Sequence, residues 1–61
     1  MKTMLDVRNL LKQFNIFIYT GSRKGDADLM EMELSELYQK GLINQDDYMK
    51  ARLLLHQEKH H

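Results

Sequence analysis

The segment Leu37-Tyr38-Gln39-Lys40-Gly41-Leu42-Ile43-Asn44-Gln45-Asp46-Asp47-Tyr48, residues 37–48, holds a helix end, a turn and a helix start. Lys40 places a cation in a last helical turn, and Gly41 is free to take the positive φ that closes a helix. Leu42 and Ile43 form a short apolar link that plugs the turn. Asn44 caps the next helix, with Asp47 at its third position, where an acid reaches back toward the open donor of the cap. A connection this short makes the two helices antiparallel neighbours.

Outward from this turn, the preceding helix is expected over about residues 26–40. Asp26, Asp28 and Glu31 put negative charge on its first turns, where the helix dipole favours it. Met30, Leu34, Leu37 and Tyr38 form its inward stripe. The following helix is expected over about 45–58, with Tyr48, Ala51, Leu54 and Leu55 inward and a frayed tail from Glu58 to His61.

A first helix is expected over about 4–14. Thr3 caps it, Asp6 completes a capping-box-like pair, and Met4, Val7, Leu10, Leu11 and Phe14 share one face. Asn15 is its stop. The connector, 15–25, begins with Ile16-Phe17-Ile18-Tyr19-Thr20, which is β-branched and aromatic and therefore extended in preference. With no strand to pair with, its apolar side chains should cover the helical core. Gly21-Ser22-Arg23-Lys24-Gly25 reads as a loop, two glycines bracketing small and charged residues. The fold expected is all-α, one compact three-helix bundle spanning residues 1–61 with an extended, loop-like connector between helices one and two.

Composition narrows the function classes. Sixty-one residues make one small domain near the lower limit for folding alone. There is no cysteine, so disulfides and thiol catalysis are excluded, and a reducing cytoplasm is the expected setting. Met1-Lys2-Thr3-Met4-Leu5-Asp6 reaches charge too soon for a signal peptide, and no run approaches the roughly 20 apolar residues of a membrane span. Net charge is zero, yet residues 1–25 carry +4 and residues 26–61 carry −4. Such a split either leaves a positive patch on a neutral protein or draws the two halves together in the fold.

The residues left outside the core suggest two surfaces. Arg8 and Lys12, four apart on the first helix, join Tyr19, Arg23 and Lys24 in a basic and aromatic set suited to single-stranded DNA or RNA. Cations contact phosphates, an aromatic ring stacks on an unpaired base, and backbone donors of the Gly21–Gly25 loop could hold an oxyanion. The bland alternative is that Tyr19 covers the core while Arg23 and Lys24 keep a loop soluble. The second surface is apolar: Met49 and Leu53, four apart on the third helix, with Leu5 and Met32 on the other two. It suits contact with a second copy or another protein.

Other chemistries find little support. The third helix opens with Gln45-Asp46-Asp47, whose acids would meet a duplex backbone badly. The 21–25 loop lacks the spacing and terminal Lys-Ser/Thr pair of a nucleotide-phosphate loop. His56, His60 and His61 all lie at the chain end, where a general base is badly held. No catalytic residue, metal site or cofactor is expected, and the chain reads as non-enzymatic.

Asp6-Val7, Leu10-Leu11-Lys12, Phe14, Phe17-Ile18-Tyr19-Thr20-Gly21, Arg23, Glu36-Leu37-Tyr38 and Leu42 to Ala51 together resemble the YqgQ-like family of very small cytoplasmic proteins from Gram-positive bacteria. The likeness covers nearly the whole chain, and Phe17 to Gly21 is its most specific part. The resemblance implies a three-helix bundle of uncharacterised function, with single-stranded nucleic-acid binding suggested. More narrowly, Glu36 to Asn44 with Asp47-Tyr48 is similar to a short C-terminal helical hairpin of bacterial proteins, which implies an interaction or oligomerisation device.

Overall fold

In the computed structural model, which describes residues 1–59, the turn after Leu37 closes as its residues dictate. Gly41 takes φ +74°. Its N–H reaches the Tyr38 carbonyl at 3.0 Å and the Leu42 N–H reaches the Leu37 carbonyl at 2.9 Å. This pair of bonds is a Schellman stop, which satisfies carbonyls that a helix end leaves open. Asn44 Oδ1 then accepts the Asp47 N–H at 2.7 Å and starts the next helix. Only one of the two turn residues plugs the core: Ile43 is buried while Leu42 is exposed.

The elements are α1 (Met4–Lys12), α2 (Arg23–Gln39) and α3 (Gln45–Lys59), with no strand among the described residues. The protein is an all-α three-helix bundle. α2 and α3 form the hairpin, and α1 packs across both. α1 opens on a capping box between Thr3 and Asp6. It ends on a second Schellman stop, with Asn15 at φ +60° and the Ile16 N–H on the Leu11 carbonyl at 3.1 Å.

The core is Val7 and Leu11 from α1, Ala27, Met30, Leu34 and Leu37 from α2, Ile43 from the turn, and Ala51 and Leu55 from α3. Met4, Leu10, Phe14, Tyr48 and Leu54 pack around it. Full burial of each large apolar side chain contributes about 1.5–3 kcal/mol. Tyr38 sits at the edge, its ring stacked on Tyr48 with centroids 4.5 Å apart.

Three expectations are corrected. α2 begins at Arg23, three residues before the expected start at Asp26. Ser22 is its cap, accepting the Gly25 N–H at 3.2 Å. Arg23, Lys24 and Gly25 are therefore its first turn, and the connector ends at Ser22. Gly25 is required by space and not by a loop: a Cβ there would lie 2.7 Å from Thr20 Oγ1. The chain end up to Lys59 is anchored and not frayed. Lys59 pairs with Asp28 at 3.0 Å and also with Glu31, and Glu58 pairs with Arg23 at 3.4 Å. His60 and His61 lie outside the described residues.

The opposed charges of the two halves are drawn together. Arg8–Asp26, Arg23–Glu58 and Lys24–Asp28 each join a cation of residues 1–25 to an acid of residues 26–59.

Candidate nucleic-acid interface

From Ile16 to Thr20 the connector is neither helix nor turn, and burial alternates from Ile16 to Tyr19, the pattern that extended backbone produces. Ile16 and Ile18 turn inward and pack on the core. Phe17 and Tyr19 turn outward, 72% and 86% exposed. The expectation that this segment's apolar side chains cover the core therefore holds for the two isoleucines and fails for Phe17. Two residues apart on extended backbone, the two aromatic side chains project about 6.6 Å apart along the chain.

A buried carboxylate fixes the connector in place. Asp26 is 4% exposed. It accepts from Thr20 N–H at 2.6 Å, from Thr20 Oγ1 at 2.7 Å, and from Arg8 Nη2 at 2.7 Å. Arg8 also donates through Nη1 to the Ile18 carbonyl at 2.6 Å. Thr20 and Arg8 together pull the Asp26 carboxyl down to about 2, the Thr20 hydroxyl contributing most. Hydrogen bonds to the charged form outweigh the burial that opposes it. With every buried side-chain polar atom among the described residues satisfied, the network holds α1, the connector and α2 in one arrangement.

Between α1 and this connector lies an open groove of about 380 Å³. Arg8, Lys12, Phe17 and Tyr19 line it together with Leu11, Ile16, Ile18 and Met30. Its lining contains two cations and no carboxylate. Of the five residues expected to act together, the structure gathers Arg8, Lys12 and Tyr19 here and leaves Arg23 and Lys24 elsewhere, on the first turn of α2. Arg23 and Lys24 are exposed, each beside an acid at 3.4 Å. Two of the backbone donors of 21–25 are taken within the chain: Ser22 N–H bonds Thr20 Oγ1 at 3.2 Å and Gly25 N–H bonds Ser22 Oγ. Phe17 joins the site unexpectedly. Its signal was the two-residue alternation: if Ile16 and Ile18 face inward, Phe17 must share the side of Tyr19.

A family model described as YqgQ-like matches residues 1–61. The chain belongs to the YqgQ-like family. A YqgQ-like relative, the uncharacterized protein YqgQ of Bacillus subtilis (strain 168), is 36% identical over 58 residues, which cover 95% of this chain and 82% of that protein.

The apolar set expected for protein contact in this YqgQ-like chain is solvent-facing. Met49 and Leu53 are 53% and 61% exposed on one stripe of α3, and Leu5 and Met32 are exposed on α1 and α2. Among the described residues no group of His, Asp or Glu is placed to hold a metal ion, and no helix is long and apolar enough to cross a membrane.

Proposed function

We propose that this protein is a cytoplasmic, non-enzymatic binder of single-stranded nucleic acid, using the groove between α1 and the connector. The exposed pair Phe17 and Tyr19 carries the reading. Large aromatic rings cost free energy in water, and base stacking uses the π-face while tolerating any sequence. Lys12 gives the same groove a cation suited to phosphate, while Arg8 beside it is paired with Asp26. Neither ring serves the core, so their exposure has no role in folding. The test is fluorescence anisotropy of labelled mixed-sequence single-stranded DNA and RNA titrated with the protein at low and moderate salt. Micromolar binding that weakens with salt supports the reading, and absence of binding at low salt removes it.

A second reading rests on Met49 and Leu53, an apolar pair one helical turn apart, each more than half exposed. It makes α3 the contact face for a second copy or another protein. Sedimentation across a concentration series tests self-association, and Leu53→Glu should abolish any dimer found.

A further inference from the structure

The groove holds its ligand by stacking, and the charges around it are largely spent inside the protein. This inference rests on the nucleic-acid reading and assigns roles within the site. Four cations could meet phosphate: Arg8, Lys12, Arg23 and Lys24. Arg8 is tied to Asp26 at 2.7 Å and to the Ile18 carbonyl, so its guanidinium positions the connector. Arg23 and Lys24 stand beside Glu58 and Asp28 and do not line the groove. Exposed pairs of this kind are weak, but each carboxylate still cancels the field of its cation, and an approaching phosphate meets both. Lys12 is exposed and has no ion pair among the described residues. It lines the same groove as Phe17 and Tyr19.

We infer that single-stranded nucleic acid is held here mainly by two bases stacked on Phe17 and Tyr19, with Lys12 as the one phosphate-contacting cation and Arg8 as a positioning residue. Two consequences follow from the chemistry. Affinity falls only gently with salt, because for single strands the logarithmic slope is about −0.7 per neutralised phosphate, against about −2.8 if all four cations took part. Sequence preference is slight, since every base offers a π-face.

The experiment measures affinity of labelled oligothymidylate across about 50 to 200 mM salt for the parent chain and four variants, each checked for helicity. Tyr19→Leu and Phe17→Leu keep apolar bulk and remove the ring; each is expected to weaken binding about tenfold. Lys12→Ala is expected to flatten the salt slope toward zero. The double variant Arg23→Ala, Lys24→Ala is expected to bind within about twofold of the parent with the same slope. A parent slope near −2.8, or a double variant that binds as poorly as Tyr19→Leu, would overturn the stacking mode while leaving the nucleic-acid reading intact. Leucine variants that bind like the parent would overturn it as well. No binding by the parent at the lowest salt would remove both.

Discussion

Arg8 of α1 and Asp26 of α2 meet at 2.7 Å beneath the connector, and the same two side chains hold Thr20 and the Ile18 carbonyl. A pair joined this way ties three segments with one carboxylate. It also decides which side of the connector faces solvent, and so exposes Phe17 and Tyr19.

This carboxylate should leave a mark on acid stability. Its pKa is lowered from 3.8 to about 2 in the folded protein. A lowered carboxyl pKa adds stability that is complete above the unfolded value and is lost as pH falls through the folded one. Asp26→Asn should therefore melt below the parent at neutral pH, and the gap should narrow from about pH 4 down to about pH 2. Circular dichroism melts of the two proteins across that window are the check. A constant gap would mean that packing, and not the charge, gives Asp26 its role.

Gly25 and Thr20 should be coupled. A methyl at position 25 lies 2.7 Å from the Thr20 hydroxyl oxygen, which is itself held by Asp26. Gly25→Ala is expected to destabilise, and Thr20→Ala to destabilise through lost bonds to Asp26. The double variant should be more stable than the sum of the two effects implies, by about 0.5 kcal/mol or more. Urea unfolding of the four proteins in a mutant cycle measures the coupling.

The two helix stops make opposite predictions. Gly41 is at φ +74° with open space around it, so Gly41→Ala should cost about 1–2 kcal/mol from backbone strain alone. Asn15 already occupies φ +60° with a side chain, so Asn15→Gly should relieve strain and change stability by no more than about 1 kcal/mol. Denaturant midpoints of the two variants would show the asymmetry.

Burial separates the leucines. Leu34 is fully buried, and Leu34→Ala should cost about 2–5 kcal/mol, a large share of what a chain of this size has. Leu53→Ala and Met49→Ala, on the exposed stripe of α3, should change monomer stability by no more than about 0.5 kcal/mol. Thermal melts at low protein concentration test both. A large loss at Leu53 would show that it is buried in an oligomer.

Glu31 should control the last turn of α3. Its carboxylate faces Lys59, with His56 Nε2 at 3.3 Å and Arg52 at 3.6 Å. Lys59 and then His56 hold its pKa below the usual value. Glu31→Gln should speed amide exchange at the end of α3 while exchange at Leu34 stays slow. Equal acceleration at both sites would place Glu31 in global stability instead.

Much of the architecture is legible in local sequence. Helix caps and stops act over three to five residues, so Thr3 with Asp6, Asn15, Gly41 and Asn44 mark their boundaries without knowledge of the rest. The apolar spacing of Val7 and Leu11, of Met30, Leu34 and Leu37, and of Ala51 and Leu55 names the inward faces for the same reason. The start of α2 was hidden because Gly25 has two physical uses. In sequence a glycine beside Ser, Arg and Lys signals a loop; in the fold it makes room for Thr20, a contact set by tertiary packing. Asp26 was hidden likewise. An acid near a helix start satisfies the dipole, and nothing local reveals that this one points inward at Arg8.

The site divides along the same line. Sequence alone determined three helices, their caps, an extended aromatic connector and an uneven distribution of charge, because propensity and periodicity are short-range properties. Only the tertiary structure decided which charges cancel. Arg8 and Arg23 met acids distant in sequence and Lys24 one a helical turn away, while Lys12 met none among the described residues. It also decided that Phe17 and Tyr19, and not Ile16 and Ile18, face the solvent, because the bonds from Arg8 and Asp26 to the connector select one of its two faces for the core.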